Sequence, residues 1–526
     1  MSQVDSRLST GLPGLDKMLK GLIPGDNIVW QVDCVEDFKS FLAPYYKSAS
    51  ERGRRVIYFR FANHAPLAEV DKDIEIIRPD FNAGFEKFVA EIHHMIGTAG
   101  RNAFFIFDCL TDLSEQWYSD RMLGNFFMLT CPYLFDSEAI AYFPIIRGKL
   151  SSDAISSIHN TAQVVIDLFR RNDMLYLHPL KVQQRYSPTM YVLHSWDGSR
   201  FEQVVDSATM STVMTSVPWP NMQMSGDDLG VASRMFRKSQ KILSAMNNGE
   251  NPPADFEQHF DTLLKMVVTR DERLLEQARK YLNLSDVVQI MKRLIGTGLI
   301  GGKSAGMLIA RAILRENDGK YRNLLEPHDS FYVGSDVFYT FVVRNGLWFG
   351  RQKQKVPETF LEGADETRRQ MLTGGFPDTI VRQFSAMLDY YGQSPIIVRS
   401  SSLLEDNYEN AFSGKYESVF CANQGSRDKR LRDFISAVLT IYASSMSENA
   451  LTYRARRGLL DKDEQMPLLV QRVSGSLCSR HFYPQVAGVG YSYNPYVWDK
   501  RIDPDAGMLR LVLGLGTRAV ERKDDD

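Results

Sequence analysis

Residues 296–306 read Gly-Thr-Gly-Leu-Ile-Gly-Gly-Lys-Ser-Ala-Gly, and an apolar pattern of helical period follows them. Glycine can adopt positive φ and lets backbone N–H groups come close to a ligand. A helix beginning near Ser304 would direct the positive end of its dipole towards an anion. Because Lys303 adds a cation at the same point, the stretch predicts an anion site at the start of a helix.

This stretch is not a P-loop, because the pattern G-x-x-x-x-G-K-[ST] needs a glycine where Thr297 stands. A glycine-rich turn before a helix can also be a tight connection without a ligand. A second stretch, residues 394–420, favours the anion site. It has a buried-strand pattern, then Arg399 and three serines, then acidic residues and a Phe-Ser-Gly turn.

Together the two stretches resemble the ATP-binding domain of the phosphoenolpyruvate synthase and pyruvate phosphate dikinase family, a divergent ATP-grasp fold. The matching motifs, in chain order, are Gly301-Gly302-Lys303-Ser304-Ala305, Val398-Arg399-Ser400-Ser401 with Glu405-Asp406, Phe412-Ser413-Gly414, Val470-Gln471-Arg472 and Gly488-Val489-Gly490-Tyr491-Ser492-Tyr493-Asn494-Pro495. Their order and spacing agree with the family pattern.

The resemblance implies that ATP binds with Mg²⁺ and that Lys303 and Arg399 contact its phosphates in a catalytic role. It implies that Gln471 meets the adenine. The other implied nucleotide-binding residues are Gly301, Gly302, Ser400, Ser401, Ser413 and Gly414.

Each implied site residue has a structural alternative. Arg399 could be a strand-end arginine paired with Glu405 or Asp406. The serines and the Phe-Ser-Gly turn could form an ordinary polar loop, and Gln471 could be a simple sheet residue.

The sequence departs from the family at the metal site. Aligning Gly514 and Gly516 with the family's Gly-Leu-Gly turn places Arg510 where a magnesium-binding glutamate is expected. A cation there would weaken Mg²⁺ binding. Either the acids come from elsewhere, for example Glu521 or Asp503, or the site binds the nucleotide without turning it over; the metal ligands stay unknown.

The family's later parts are also missing from this sequence. None of the nine histidines lies in the family's phosphohistidine motif, and the pyruvate-binding barrel is absent. The ATP-grasp domain would be expected to continue beyond residue 526, which suggests a fragment. The resemblance therefore implies the ATP-binding part of a phosphotransferase that passes a phosphoryl group towards a histidine domain outside this sequence. Pyruvate is the acceptor that the resemblance favours.

Residues 8–60 predict a strand, a helix and a second strand of a parallel sheet. Their sequence pattern resembles that of RecA-like ATPases of the circadian-clock KaiC type. The position of the P-loop, residues 31–39, contains no glycine, and Asp33, Glu36 and Asp37 would repel a nucleotide. Asp108, which ends a strand similar to Walker B, is then interpreted as structural.

The remaining patterns divide the chain into three parts: a RecA-like domain without a P-loop at 1–205, a linker and helical connector at 206–284, and the ATP-grasp domain, truncated, at 285–526. The fold class is α/β, with a parallel-sheet domain followed by an α+β nucleotide-binding domain. Strands are predicted at 139–146, 161–168, 175–182 and 190–194, and helices at 85–96, 231–247, 255–268, 272–282 and 285–295. The connector could also be the contact surface of a homo-oligomer.

Composition excludes several classes of protein. The formal charge of −2 over 526 residues gives no footprint for nucleic acid or an anionic membrane. Five scattered cysteines favour a reducing cytoplasm over a disulfide framework, and we find no apolar run of about 18 residues. The pair His93-His94 lies in a helical pattern, where packing is favoured over a metal site. The alternative to an enzyme is a regulatory or scaffold protein whose two nucleotide folds have decayed.

Overall fold

A computed structural model describes residues 7–68, 74–171, 173–215, 230–317, 321, 324–405, 414–514 and 516. The chain forms two compact units. The first consists of Met1–Lys292, Thr297–Leu299 and Tyr339–Gly346, and the second consists of Arg293–Gly296, Ile300–Phe338 and Leu347–Asp526. The predicted connector, residues 206–284, therefore belongs to the first unit, which continues to Lys292.

The first unit is built on a nine-stranded sheet with the order β3-β2-β4-β5-β1-β6-β7-β8-β9. The first six strands in this order run parallel, and β7, β8 and β9 continue the sheet in antiparallel pairs. The strands are β1 Asn27–Val32, β2 Val56–Phe59, β3 Glu75–Ile77, β4 Phe104–Phe107, β5 Ile140–Ile146, β6 Val164–Arg171, β7 Met174–Val182, β8 His194–Trp196 and β9 Phe201–Gln203.

The central strands are buried on both faces, as parallel strands covered by helices should be. Every residue of β2 and β4 is buried, which explains their continuous apolar sequences. The sequence-based prediction of an α/β fold with a large parallel sheet is confirmed. The prediction of a strand at 190–194 is wrong, because Met190 and Val192 donate amide hydrogens within turns and the strand begins at His194.

Helices of the first unit cover this sheet and continue beyond it. Their bounds are Pro13–Leu19, Val35–Glu51, Phe85–Ala99, Leu110–Gln116, Asp120–Asp136, Ser152–Thr161, Ser207–Met214, Val231–Asn247, Phe256–Leu263, Glu272–Tyr281 and Leu284–Lys292, with a 3₁₀ turn at Phe81–Ala83 and a π turn at Leu264–Val268.

The helical segment follows the predicted pattern with two differences. Asp206, in the predicted linker, accepts a hydrogen bond from the amide of Thr209 at 2.7 Å and thereby starts the helix Ser207–Met214. The helix predicted at 285–295 ends at Lys292, and Leu294–Ile295 instead form a strand. The rest of the predicted linker, 216–220, lies outside the described residues.

The second unit contains a five-stranded sheet with the order β10-β11-β14-β12-β13 and two separate hairpins, β15 with β16 and β17 with β18. Strands β10 and β11 are parallel, and the other pairs are antiparallel. The strands are β10 Leu294–Ile295, β11 Ser330–Val333, β12 Ile396–Ser400, β13 Ser418–Cys421, β14 Leu468–Arg472, β15 Ser476–Cys478, β16 His481–Tyr483, β17 Val486–Tyr491 and β18 Met508–Leu513.

The helices of the second unit surround this sheet and give the unit a mixed α and β composition. Their bounds are Gly302–Asn317, Trp348–Lys353, Ala364–Leu372, Asp378–Tyr391, Arg427–Ser444 and Glu448–Arg456, with a 3₁₀ turn at Pro504–Ala506; the helix Ser335–Arg344 contributes residues to both units. Within the described ranges, none of the helices combines the length and apolar character needed to cross a bilayer.

Candidate functional site

The glycine-rich turn packs directly against the serine segment that follows β12. Gly301 has a φ of +82°, and a Cβ at this position would lie 1.5 Å from the carbonyl oxygen of Ser401. A Cβ at Gly302 would lie 2.0 Å from the carbonyl oxygen of Glu405. Both glycines are therefore required by a close backbone approach. This fits the interpretation of the turn as a tight connection, which was the alternative to an anion site.

Serine side chains and carbonyls cap the helix that follows this turn. The helix begins at Gly302, two residues earlier than predicted. The amide of Gly302 donates to the carbonyl of Ser402 at 3.2 Å, and the amide of Ser304 donates to Ser401 Oγ at 3.1 Å. These two amide donors at the helix start are thus satisfied within the protein.

Lys303 lies over the same serine segment. Its ammonium group is paired with the carboxylate of Glu405 and lies 3.4 Å from Ser400 Oγ. The carboxylate is 2% exposed and the lysine side chain 19% exposed. The structure therefore brings Gly301, Gly302, Lys303, Ser400 and Ser401 together, with Glu405 as the counterion of Lys303.

Arg399 and Gln471 lie on the same face of the five-stranded sheet. Gln471 pairs with Ile397, and Arg399 pairs with Leu469 in the same ladder. Because directly opposed residues share a face and side chains alternate along a strand, these residues all point to one side. Among the described residues the side chain of Arg399 has no hydrogen bond or ion pair; Glu405, one partner that the alternative interpretation gave it, is bound to Lys303.

A pocket of about 250 Å³ lies beside Gln471. It is lined by the helix that carries Lys303, by the segment before β11 and by the end of β14; its walls include Met307, Arg311, His328, Asp329 and Arg472. Met307 lies one helical turn after Lys303. One helix therefore contacts the serine segment at its start and Gln471 one turn later.

Asp329 organises the rim of this pocket. Its carboxylate accepts hydrogen bonds from Arg293 at 2.6 Å and Arg472 at 2.8 Å. Burial acts to raise the pKa of Asp329, but the hydrogen bonds from Arg472 and Arg293 outweigh it and hold the pKa below its usual value. Asp329 therefore stays ionised and fixes both arginines.

A buried acid that the sequence analysis did not identify contacts the serine segment, residues 400–402. Glu464 is fully buried and accepts hydrogen bonds from Ser402 Oγ at 2.5 Å and from the hydroxyl of Tyr416 at 2.8 Å. Arg454 lies 3.6 Å from the same carboxylate. Burial, followed by the charge of Glu464, raises the pKa of Tyr416 well above its usual value. Glu464 follows Asp461 and Asp463 in a short acidic stretch, which gave no sequence signal for this role.

Several predicted residues cannot be placed in this geometry. Ser413, Asp406 and Glu521 lie outside the described residues. Gly414 is exposed, with a φ of +69°, and a Cβ there would meet nothing within 4 Å.

The structure assigns no magnesium ligands among the described residues. Arg510 lies in β18, where it pairs with Val489. Asp503, the alternative ligand, caps a 3₁₀ turn by accepting from the amide of Asp505 at 2.9 Å. Within the described part of the chain, no group of three or more His, Cys, Asp or Glu side chains could hold a metal ion.

In the first unit, Asp108 is enclosed by donors at the end of β4. It is fully buried and accepts hydrogen bonds from Tyr58, from Arg60 at 2.5 Å, and from the amides of Phe61 and Ala62 at 2.8 Å. These bonds tie the segment after β2 to the end of β4, an arrangement suited to a structural role.

Arginine side chains neutralise two of the carboxylates at the position where a P-loop would lie. Asp33 pairs with Arg147 at 2.5 Å and Asp37 with Arg170 at 2.5 Å. Arg147 also donates to the carbonyl of Gln31 and to Asp167. The predicted repulsion of a nucleotide by these carboxylates is therefore reduced. The Arg147 guanidinium instead connects the carboxyl end of β1 with the middle of β6.

The comparisons with known proteins give one match, over the later part of the chain. No curated protein matches the chain. Residues 297–526 match the family model described as the AMP/ATP-binding domain of pyruvate phosphate dikinase. This match covers the glycine-rich turn, the serine segment and Gln471, and it supports ATP binding by the second unit.

Proposed function

We propose that the second unit binds ATP and is the nucleotide-binding part of a phosphotransferase similar to phosphoenolpyruvate synthase and pyruvate phosphate dikinase. The family match over residues 297–526 carries this proposal. In it, the unit is an ATP-grasp domain in which Gln471 meets the adenine. Lys303 and Arg399 contact the phosphates, and the phosphoryl group passes to a histidine on another domain, with pyruvate as the final acceptor.

Charge and geometry support this assignment. Arg399 shares a sheet face with Gln471 and has no counterion among the described residues, so its guanidinium can grip two phosphate oxygens. Positive groups that neutralise the transferring phosphoryl group are what phosphoryl transfer requires of a protein. Because no metal ligands are assigned, no step is assigned to a metal.

The first unit is proposed to be a RecA-like domain that has lost its nucleotide site and serves in docking or regulation. The parallel sheet, the Arg147 network at the P-loop position and the enclosed Asp108 support this. The division at 205 and 284, assembly into a homo-oligomer and a cytoplasmic location belong to the same proposal.

A regulatory or scaffold role for the whole chain is the second candidate. The observation that favours it is Arg510, a cation where the family has a metal-binding acid. Such a protein would bind ATP weakly and transfer no phosphoryl group.

Calorimetric titration with ATP tests the proposal. Wild type should bind, and Lys303→Ala and Arg399→Ala should each lose about 1.5 kcal/mol or more of binding free energy, as expected for hydrogen bonds to charged groups. Arg432→Ala, which removes an exposed guanidinium from the helix Arg427–Ser444 of the same unit, serves as the control and should bind normally. Failure of wild type to bind millimolar ATP would exclude the proposed site.

A further inference from the structure

The amide of Gln471 is held in one orientation by two acceptors. Its partner across the β11–β14 ladder is Ser330. Gln471 Nε2 lies 3.2 Å from Ser330 Oγ and 3.3 Å from the sulfur of Met307. A thioether accepts hydrogen bonds and cannot donate, so the NH₂ group fits beside it and the amide oxygen does not. Gln471 Oε1 has no hydrogen-bond partner in the described ranges and remains an acceptor beside the pocket.

His328 fixes the hydrogen of the Ser330 hydroxyl. The ring atom Nδ1 lies 3.1 Å from Ser330 Oγ. With its proton on Nε2, a neutral imidazole accepts the hydroxyl hydrogen at Nδ1. A hydroxyl has one hydrogen, so Ser330 can then offer Gln471 only lone pairs. In this tautomer of His328 the hydrogen bonds run in one direction, from Gln471 to Ser330 to His328.

We propose that His328 and Ser330 set the base selectivity of this pocket by holding Gln471 with its amide oxygen available to the ligand. A purine with a 6-amino group, which donates, is then preferred to a 6-oxo purine, which presents another acceptor. His328 and Ser330 are positioning residues, since they act through Gln471. This inference rests on the proposed ATP site and adds to it the residues that choose the base.

The size of the pocket and the position of Met307 suit a base. At about 250 Å³ it is smaller than a typical pocket for a whole drug-sized ligand. Met307 offers an apolar, polarisable surface for a ring. The phosphates would then lie outside this pocket, towards the start of the helix that carries both Met307 and Lys303.

Protonation of His328 should change its Nδ1 from a hydrogen-bond acceptor to a donor towards Ser330. Burial, followed by the charges of Arg311 and Arg293, lowers the pKa of His328, while Asp329 acts in the opposite direction. Below that pKa, Nδ1 donates to Ser330, and the hydroxyl hydrogen becomes free to meet the Gln471 oxygen. Selectivity should therefore fall as pH falls. The charged groups that face His328 or line the pocket are Arg293, Arg311, Arg315, Glu326, Asp329 and Arg472.

The test compares the dissociation constants of ATP and inosine triphosphate, which differ in the 6-amino and 6-oxo groups. Wild type should prefer ATP by about ten-fold, as expected for one hydrogen bond. Ser330→Ala and His328→Leu should reduce this ratio to about two-fold or less, because the weak thioether acceptor of Met307 is then the only group that orients the amide. His328→Asn, whose side-chain oxygen can replace Nδ1 as acceptor, should restore it.

Equal binding of both nucleotides by wild type, or an unchanged ratio in both Ser330→Ala and His328→Leu, would overturn the inference. Wild type that binds neither nucleotide would refute the ATP site itself, which is a separate result. Thermal unfolding identifies variants that fail to fold. If both variants fail to fold, the ratio of the ATP and inosine triphosphate dissociation constants is measured for wild type as the pH is lowered. A ratio that stays constant while His328 titrates contradicts the proposed chain of hydrogen bonds.

Discussion

Lys303 and Glu405 form an ion pair between the first turn of the helix Gly302–Asn317 and the turn that follows β12. The carboxylate is almost completely buried and also accepts from Ser400 Oγ at 3.3 Å. A phosphate that binds to Lys303 must therefore compete with this carboxylate for the ammonium group. The ion pair sets the resting charge of the proposed site.

Replacement of Glu405 by glutamine should strengthen ATP binding and weaken the fold. Glu405→Gln keeps the shape but removes the competing charge, so ATP affinity should rise about five-fold, or about 1 kcal/mol. The free energy of unfolding should fall by about 2 kcal/mol, because the partly buried ammonium loses its counterion. Calorimetry with ATP and urea denaturation measure the two effects.

Glu417→Gln is the matched control, since Glu417 is an exposed glutamate in the same unit. It should change either quantity by less than about 0.5 kcal/mol. Weaker ATP binding in Glu405→Gln, with the fold retained, would show instead that Glu405 positions Lys303 for the nucleotide.

Alanine at Gly301 should be strongly destabilising, whereas alanine at Gly306 should not. Gly301 has positive φ, and a Cβ there meets the Ser401 carbonyl. We expect Gly301→Ala to lower the free energy of unfolding by about 3 kcal/mol, from backbone strain and overpacking together. Gly306 lies inside the helix with nothing within 4 Å of a Cβ, so Gly306→Ala should add about 0.5–1 kcal/mol. Equal effects in urea denaturation would contradict the close approach.

His93 should make the stability of the first unit depend on pH. It is buried, and its ring stacks on Tyr133 with centroids 4.6 Å apart. Burial lowers the pKa of His93 to about 4. Between about pH 6.5 and 4 the unfolded chain binds a proton that the folded chain does not, so stability falls as pH drops through this window. The full loss is about 3 kcal/mol.

His93→Phe keeps an aromatic ring against Tyr133 and removes the titrating group. The difference in thermal unfolding midpoint between pH 7 and pH 4.5 should therefore be smaller in this variant than in wild type. His94→Phe is the control, because His94 is exposed in the same helix, and it should keep the pH dependence of wild type. A pH dependence that survives in His93→Phe would assign it to other groups.

Much of the fold could be predicted from local patterns. The helix predicted at 231–247 has these bounds in the structure, and the strand predicted at 139–146 begins one residue later. Such elements carry their period in the sequence. The end of the helix predicted at 285–295 could not be foreseen, because Leu294 and Ile295 take their conformation from pairing with β11, which lies far along the chain.

The candidate site was partly visible from the sequence. Motifs identified Lys303, Arg399 and Gln471, since each lies in a recognisable stretch. The partners of these residues were not visible. Lys303 pairs with Glu405 because the turn packs on the serine segment, and Glu464 supports that segment from 62 residues after Ser402. Such long-range contacts depend on tertiary packing and leave no local pattern.

The contact between Gly301 and Ser401 leaves no space for even a methyl group. The two segments, about a hundred residues apart in sequence, therefore depend on each other for their backbone positions. A change of residue type at position 301 would require the backbone at position 401 to withdraw, and with it the serines beside Lys303. Among descendants of a common ancestor, these two segments should be kept together or be lost together.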